Sequence, residues 1–439
     1  MNIARITLRA KGFSVIHRLS ILWLLPALLC LQAQNSILLN HANVIDGFSD
    51  QPARDMAVLV ENGRITSFSS NVEKPPVGTV TINVAGRWLL PGLIDAHVHL
   101  TDLKGAQTMI AAGVTTIRTM HADHYIDIGI RELHRGGAKD LPDVIASGYQ
   151  LRPDMFVFEA FLLDFPKLAP VIRSKVTGIE NIRQLVRANV QHDVNVIKIL
   201  ATERAGTPGT DPLRQTFTED EMTAIVDEAR TAGLPVAAHA HGDEGAAAAV
   251  RAGVRSIEHG SLASEATLDL MKQRGTYLVP TIATWGIKGT MPLAPNADPD
   301  FQKRNTELSA AAHATALRAW EKGIPLVAGT DTSNRTLPAF TVSSEVAEFV
   351  KIGIPSMEAI KAATSRAAEC LGISNRTGSI RTGYEADLVV VDGGPPGRHS
   401  GVEEGHVGDQ RRSDCDKQIG KVIGAKFTEA IPAFANPHG

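Results

Sequence analysis

The sequence predicts an α/β protein: a (β/α)8 barrel with a small β-sandwich built from both ends of the chain. Eight apolar runs alternate with patterns rich in Ala, Glu and Leu that are typical of helices. β-rich runs at 36–40, 56–60 and 79–84 precede this region, and one at 386–392 follows it. The barrel strands are expected at 93–98, 114–119, 143–147, 194–200, 235–240, 255–259, 277–282 and 325–329.

The helix after the fourth strand candidate shows how such elements are recognised. Thr218 and Glu221 have the spacing of a capping box, and Gly233 is expected to end the helix. A doubly wound open sheet would show the same alternation, but no glycine-rich phosphate-binding turn follows the first strand candidate. The barrel is therefore preferred, and a longer segment at 150–178 with four phenylalanines is expected to roof its site.

Composition narrows the class of protein. The 439 residues include 44 Lys and Arg, 47 Asp and Glu and 44% hydrophobic residues, which excludes a disordered chain and a nucleic-acid-binding surface. Three cysteines are too few for a disulfide scaffold. Because no repeat, basic run or amphipathic segment indicates a macromolecular partner, the expected partner is a small molecule, and a homo-oligomer is left open.

The first 35 residues are typical of a signal peptide. Basic residues precede an apolar stretch at 19–31, which is shorter than the roughly 20 apolar residues that a membrane-spanning helix needs. Cleavage near Ala33 would release a periplasmic or secreted protein with no membrane attachment, and an uncleaved anchor is the alternative. Lipid attachment at Cys30 is disfavoured because Leu29 is too large for the residue before it.

Ligand-type side chains collect where the predicted barrel strands end. Because alternate residues of a strand face the same way, His97 and His99 are expected side by side at the end of the first strand. The other strand ends carry His239 and His241 on the fifth, His259 on the sixth and Asp331 on the eighth. Barrel enzymes build their active sites at this face. Imidazole and carboxylate groups suit divalent transition metals, zinc first.

Lys198 lies within the apolar fourth strand candidate, where a lone buried ammonium group would carry a large desolvation cost. A neutral buried amine can take up CO2 as a carbamate, an anionic group able to bridge two metal ions. Each residue also has an ordinary interpretation, such as a lysine reaching solvent, a core histidine or a turn after a strand. Six of these residues, at five strand ends, together favour a metal site: His97, His99, Lys198, His239, His259 and Asp331.

Eight motifs surround these residues, at 91–99, 112–118, 196–198, 239–242, 257–260, 329–331, 364–368 and 383–389. Together they resemble the amidohydrolase superfamily, in its imidazolonepropionase- and prolidase-like branch, over about 37 to 392. The resemblance implies a barrel at 91–372, a split β-sandwich at 36–90 and 373–392, and a centre with two metal ions. The ligands it implies are His97, His99 and Asp331 for one ion and His239 and His259 for the other, with carboxylated Lys198 bridging them.

This resemblance also implies a reaction, the hydrolysis of an amide bond. Two cations would lower the pKa of a bridging water and polarise the scissile carbonyl. Asp331 would take the proton and pass it to the leaving amine, while His241 would face the substrate and hydrogen-bond its carbonyl oxygen. Zinc is expected first, with manganese and cobalt as alternatives.

The substrate-binding residues are marked less clearly. Arg204, at the mouth of the site, is a candidate clamp for a substrate carboxylate, with a surface ion pair as the alternative. Tyr149 and Arg152 follow the third strand and are further candidates. The expected substrate is a dipeptide or an N-acyl amino acid, or a mycotoxin amide. The alternatives are an imidazolonepropionase-like hydrolase of cyclic amides and a catalytically inactive, ligand-binding barrel.

The chain after Asp392 departs from the family pattern, which calls for a closing pair of strands. Residues 393–412 show no apolar periodicity. Codons for 402–412 can be chosen so that reading one base later encodes Leu-Lys-Lys-Val-Met-Leu-Val-Ile-Asn-Asp-Gly, which has the pattern of a strand and a turn. We therefore interpret 393–439 as an aberrant tail produced by a frameshift near 393–396, a hypothesis that resequencing the gene tests.

Overall fold

The computed structural model describes residues 36–205, 209–288, 299–334, 336–337, 340–392 and 422–424. The predicted signal peptide lies outside the described residues, and so does the predicted aberrant tail apart from 422–424.

Strands and helices alternate along most of the described chain. The strands are β1 Ser36–Val44, β2 Ala53–Glu61, β3 Arg64–Ser69, β4 Val80–Asn83, β5 Trp88–Pro91, β6 Leu93–His99, β7 Val114–Thr119, β8 Asp143–Ile145, β9 Ile197–Leu200, β10 Val236–Ala240, β11 Ser256–His259, β12 Tyr277–Val279, β13 Thr332–Ser333, β14 Leu388–Val391 and β15 Val422–Gly424. The α-helices are α1 Leu103–Ala111, α2 Ile126–Arg135, α3 Glu159–Asp164, α4 Ala169–Ile172, α5 Ile179–Val190, α6 Glu219–Thr231, α7 Asp243–Ala252, α8 Glu265–Arg274, α9 Ala283–Lys288, α10 Pro299–Glu321, α11 Val342–Lys351, α12 Ser356–Ala362 and α13 Ser365–Leu371. Short 3-10 helices lie at Asp123–Tyr125, Met155–Val157 and Pro166–Leu168.

Strands from both ends of the described chain form one seven-stranded sheet. Its order is β15-β14-β5-β1-β2-β3, and β4 pairs with β1. The antiparallel pairing of β14 with β5 joins Val390 to Leu89 and so connects the two ends. Between β2 and β3 the turn holds Asn62 at φ 53° and Gly63 at φ 76°, the positive values that a two-residue hairpin turn requires.

The central region contains two four-stranded sheets whose pairings are all parallel. One has the order β13-β6-β7-β8 and the other β12-β11-β10-β9. Backbone bonds link the sheets at both edges: Leu151 pairs with Ile199 of β9, and Leu326 pairs with Leu278 of β12. Beyond Leu326, the carbonyl of Ala328 accepts a 3.0 Å bond from the amide of Ala96 in β6. The α/β class predicted from the sequence is thereby observed.

Seven of the eight predicted barrel runs contain strands β6 to β12, whereas the run at 325–329 makes only an isolated bridge. At position 329 the segment passes so close to β6 that only a glycine fits. A Cβ atom on Gly329 would lie 2.9 Å from the Cβ of His97, so the segment passes against β6 only because it has none. Two residues later the amide of Asp331 donates a 2.8 Å bond to the carbonyl of His97.

The predicted capping box at the start of α6 is confirmed. The amide of Glu221 donates to Thr218 Oγ1 at 3.2 Å, and the amide of Thr218 donates to Glu221 Oε2 at 2.9 Å. Helix α6 packs against α5, α7 and β10. Within the described part of the chain, no helix is both long and apolar enough to cross a bilayer.

Candidate metal centre

The first group of ligand-type side chains combines the end of β6 with the segment before β13. His97 is buried, and the side chain of His99 is 21% exposed. The Nε2 atoms of His97 and His99 lie 3.5 and 3.2 Å from the same oxygen, Oδ1 of Asp331. Because one donor atom from each of these residues lies within 4.8 Å of the others, the group could hold a metal ion.

Three buried imidazoles at the ends of β10 and β11 form a second group that could hold a metal ion: His239, His241 and His259. Their ring centroids are 4.6 to 4.8 Å apart. The structure thus places His241, predicted to face substrate, among the possible ligands. Its Nδ1 atom lies 3.0 Å from Oγ of Ser261, a contact that fixes the plane of the ring.

The two groups of ligand-type side chains lie next to each other, and Lys198 is on β9, the strand that pairs with β10. The rings of His97 and His259 are 5.1 Å apart. Lys198, on β9, is buried, and among the described residues its Nζ atom has no hydrogen-bond partner. Burial lowers the pKa of this amine to about 8. A buried polar atom without a partner, close to two groups of ligand-type side chains, fits a metal centre.

The histidines of the centre are held in the neutral form that metals require. Burial, together with the nearby charge of Lys198, lowers the pKa of His97 to about 4 against the opposing effect of Glu258 and Asp331. Burial lowers the pKa of His239 and His259 well below the usual value. At neutral pH each of these three rings therefore keeps one unprotonated nitrogen that can bind a cation.

Buried polar side chains support the ligand-type residues, and sequence reasoning assigned no role to them. Glu258 Oε2 lies 2.8 Å from Nδ1 of His97, and Thr281 Oγ1 lies 2.7 Å from Nδ1 of His259. Asp95 accepts bonds from the amide of His97 and from the hydroxyl of Thr330, and its burial raises its pKa to about 7. For Glu258 the signal was available, because it is a charged residue within a predicted barrel strand, as Lys198 is.

Two residues of the centre have backbone angles that side chains rarely adopt. His259 has φ 70° and Asp331 has φ 54°, both in the left-handed region. Such a conformation costs of order 1–3 kcal/mol for a residue other than glycine and persists where the surroundings enforce it. Both residues end a strand or precede one, so the strained backbone turns their side chains toward the centre.

The candidate substrate residues lie in different settings. Arg204 follows β9 with an exposed side chain. Burial is the main cause that lowers the pKa of His99 and His239, and the charge of Arg204 adds to it. The side chain of Tyr149 is buried, and its hydroxyl donates to Asp164 Oδ2 at 2.7 Å. Arg152 forms an ion pair with Asp154. A contact between any of these side chains and substrate stays a prediction.

The segment predicted to roof the site is mainly packed upon itself. Phe161 is buried with its ring 5.0 Å from that of Tyr149, and Phe165 packs 4.8 Å from Phe161. Phe158 lies closer to the parallel strands, stacked 4.8 Å from His121, which follows β7. Of these phenylalanines, Phe158 is therefore the one nearest to a polar side chain at a strand end.

Residues 88–423 match the model of the Amidohydrolase family. Ochratoxinase from Aspergillus niger is 33% identical over 222 residues, which is 50% of this chain and 45% of the relative, so the chain spans less than half the length of that relative. The crystal structure of the same ochratoxinase is similar with a TM-score of 0.69 and 25% identity, covering 82% of this chain and 90% of that chain.

Two further relatives match over most of their length. Imidazolonepropionase from Symbiobacterium thermophilum is 25% identical over 376 residues, 76% of this chain and 83% of the relative. A crystal structure of a Xaa-Pro dipeptidase with bound methionine in its active site has a TM-score of 0.72 at 27% identity, covering 82% of this chain and 95% of that chain. The family and the prolidase-like branch predicted from the motifs are thus confirmed.

Proposed function

Because the chain belongs to the amidohydrolase family, we propose that it is a metal-dependent hydrolase that cleaves an amide bond in a small substrate. One observation carries the proposal: two adjoining groups of ligand-type side chains lie beside the buried amine of Lys198, which has no hydrogen-bond partner among the described residues. Perturbed titratable groups that converge at the ends of parallel strands are typical of catalytic sites.

The donor set fits two divalent metal ions. His97, His99 and Asp331 would hold one, and His239 and His259 the other, with a CO2-derived carbamate on Lys198 as the shared ligand. Zinc is preferred for these donors, and manganese and cobalt are alternatives. When bound, such ions polarise a carbonyl group and make a water molecule more acidic.

The chain's own residues would orient the substrate and move the proton. The carboxylate of Asp331 takes the proton of the attacking water and delivers it to the nitrogen of the leaving amine. When the hydroxyl of Ser261 donates to Nδ1 of His241, Nε2 of that ring carries the proton and donates to the substrate carbonyl oxygen. The buried surroundings of His239 and His241 strengthen these interactions by limiting access of bulk water.

We infer that the parallel strands close a (β/α)8 barrel. The inference is supported by the backbone bonds at both edges of the two parallel sheets, at Leu151–Ile199 and Leu278–Leu326. The seven-stranded sheet is proposed to belong to the β-sandwich that the sequence predicts. This architecture would bring the carboxyl ends of the strands to one face, where the two ligand groups lie.

The proposed substrate is a dipeptide or an N-acyl amino acid, with its carboxylate bound by Arg204. The exposed guanidinium of Arg204 is close enough to His99 and His239 for its charge to lower their pKa. Similarity to a Xaa-Pro dipeptidase supports a dipeptide, and similarity to ochratoxinase supports a mycotoxin amide. A cyclic amide is the second candidate, because an imidazolonepropionase matches 76% of the chain.

We further propose that the protein is exported to the periplasm or secreted, with residues 1–35 removed as a signal peptide. The support is the basic and then apolar pattern of this segment. Mass spectrometry of the mature N-terminus after expression with the full leader tests this. A start near residue 34 is expected, and an intact leader on a membrane-bound protein would favour the uncleaved anchor.

A hydrolysis panel tests the proposed reaction. The protein without its leader, supplied with zinc or manganese, is incubated with dipeptides, N-acyl amino acids, a mycotoxin amide and imidazolonepropionate, and products are identified by mass spectrometry. We expect metal-dependent release of an amine from an acyclic amide, absent in Asp331→Asn. Ring opening without amine release would favour the cyclic-amide alternative, and a fully active Asp331→Asn would remove that residue from its role.

A further inference from the structure

A buried charged network stands behind His97. Glu258 is fully buried on β11, and its Oε2 atom lies 2.8 Å from Nδ1 of His97. Its other oxygen, Oε1, accepts bonds from Nη2 of Arg118 at 2.8 Å and from the hydroxyl of Ser256 at 2.6 Å. Nη1 of Arg118 also donates to Oγ of Ser256 at 3.2 Å, so that the Ser256 proton is directed at the carboxylate.

The network determines which nitrogen of His97 carries the proton. Nη2 of Arg118, a guanidinium that stays charged in proteins, lies 2.8 Å from Oε1 of Glu258, and this buried ion pair holds Glu258 as the carboxylate. An ionised carboxylate can only accept hydrogen bonds, so Nδ1 of His97 must donate. The neutral ring then has its lone pair on Nε2, the atom that faces Asp331 Oδ1 at 3.5 Å.

We propose that Glu258, oriented by Arg118 and Ser256, is a positioning residue that fixes the Nε2-unprotonated tautomer of His97 and thereby sets the metal affinity of the group formed by His97, His99 and Asp331. The proposal rests on the proposed function, since it takes His97 as a metal ligand. Carboxylates behind ligating histidines raise metal affinity by holding the ring and its tautomer.

Glu258→Gln makes a sharp test because the network orients the new amide. Arg118 and Ser256 both donate to the Oε1 position, so the amide oxygen stays there and its NH2 group faces Nδ1 of His97. Nδ1 must then accept, which moves the proton to Nε2 and blocks the metal-binding atom. Zinc affinity at one of the two sites is expected to fall about tenfold to a hundredfold.

A double variant distinguishes this role from a purely structural one, because only a tautomer-fixing role predicts that zinc affinity recovers. In Glu258→Gln with Arg118→Met, the Ser256 hydroxyl is no longer required to donate, because Arg118 no longer donates to it. The amide can then turn so that its oxygen accepts from Nδ1 of His97. Zinc affinity is expected to recover relative to Glu258→Gln, although two buried charged groups have been replaced.

The matched control is Asp127→Asn. Asp127 is also a fully buried carboxylate, and it accepts bonds from the hydroxyl of Thr119 and the amide of Ser147. Its described partners include no imidazole, so this variant is expected to lose stability and keep the zinc affinity of the unmodified protein. Zinc binding is measured on the whole protein by chelator competition, and thermal unfolding of the metal-free forms reports whether each variant folds.

The outcomes separate this inference from the proposed function. The unmodified protein should bind two zinc ions, and His97→Ala should lose one of them. If Glu258→Gln nevertheless binds both ions as tightly as Asp127→Asn does, the role of Glu258 is overturned. If His97→Ala binds zinc like the unmodified protein, the proposed metal centre itself fails. Should Glu258→Gln not fold, Glu258→Asp replaces it. Its shorter carboxylate still neutralises Arg118 but withdraws from His97, and unchanged zinc affinity there would equally overturn the inference.

Discussion

Glu258 and Lys198 are both charged residues in buried strands, but they differ in their hydrogen bonding. The carboxylate of Glu258 receives two donors on one oxygen and faces an imidazole nitrogen with the other. The amine of Lys198 is equally buried but has no hydrogen-bond partner among the described residues. An unsatisfied buried polar group costs several kcal/mol in an apolar medium. The contrast therefore supports the two proposed roles, in which Glu258 holds the ring of His97 and Lys198 contributes to ligand binding.

The carbamate proposed on Lys198 has a direct spectroscopic test. Unmodified protein loaded with zinc in 13C-labelled bicarbonate is expected to show a carbamate carbon signal by NMR, because a buried amine with a lowered pKa is readily neutral and nucleophilic. Lys198→Ala should lack the signal and bind less zinc. A signal of equal size in Lys198→Ala would assign the carbamate to another amine, and its absence from the active unmodified protein would exclude the carbamate.

Arg204→Ala tests the proposed carboxylate clamp. Loss of a charge-assisted hydrogen bond costs about 1.5–3 kcal/mol, so KM for a substrate with a free carboxylate should rise about tenfold to a hundredfold, with kcat little changed. The same substrate with its carboxylate converted to an amide should show no such change. Arg214→Ala is the matched control, because Arg214 is an exposed arginine that pairs with Glu203 at 3.2 Å.

Single residues also show where sequence reasoning reached its limit. The convergence of His97, His99 and Asp331 could be predicted because each ends or follows a recognisable strand run. The contact of Glu258 with His97 could not, since it joins residues 161 positions apart and depends on the register between strands that are not neighbours. The buried setting of Tyr149 depends on packing of the 150–178 segment, which hydrophobic pattern alone does not specify.

At the scale of elements, strands β6 to β12 could be predicted from the sequence because parallel strands buried on both faces are rich in apolar residues. The run at 325–329 is equally apolar yet makes only one bridge. Its course is determined by the close approach of Gly329 to His97, which is a tertiary contact with no counterpart in the local pattern. The hydrophobic pattern therefore predicts the position of this segment in the sequence but not its hydrogen bonds.

The capping box of α6 gives a prediction at this scale. Thr218→Ala removes the acceptor for the amide of Glu221 and is expected to lower the free energy of unfolding by about 1 kcal/mol. Thr218→Ser keeps a hydroxyl acceptor and should stay near the unmodified value. The measurement is chemical denaturation of both variants with metal bound, and equal losses in the two would show that the hydroxyl contributes nothing.

Helix α11 is tied to the chain after β12 by a buried carboxylate. Glu345 accepts bonds from the amides of Ile282 and Ala283 at 2.9 and 2.7 Å. Burial raises its pKa to about 8, with the charges of Asp95 and Glu348 adding to the shift and the two amide bonds opposing it. The folded protein therefore holds a proton on Glu345 between pH 5 and 8 that the unfolded chain has lost.

The sign of the resulting pH dependence follows from that proton. A group whose pKa is raised by folding stabilises the folded state below its unfolded pKa, and this contribution is lost as pH rises through the folded value. The stability advantage of unmodified protein over Glu345→Gln should thus shrink from pH 5 to pH 8. Thermal unfolding midpoints of the two proteins across this range are the measurement, and an advantage that grows with pH would contradict the assignment.

At the scale of the whole molecule, sequence patterns predicted that both ends of the described chain share one sheet, and β14 pairs with β5 as expected. The β-rich runs sufficed because each is short, mostly aliphatic and bounded by turns. The end of the chain was interpreted as lacking a regular strand, yet Val422–Gly424 forms β15 against β14, and the family match extends to residue 423. The frameshift hypothesis concerns residues outside the described ones and stays open to resequencing.

The measurement that tests the central claim most directly is a metal titration of the metal-free protein, with amine release from an acyclic amide followed at each addition of zinc. Activity should rise to a plateau at two zinc ions per chain. Asp331→Asn should retain part of the binding but lose about 10²- to 10⁴-fold in kcat, the usual contribution of a positioned acid–base group. Full activity in the metal-free protein, or a plateau without any requirement for Asp331, would contradict the account.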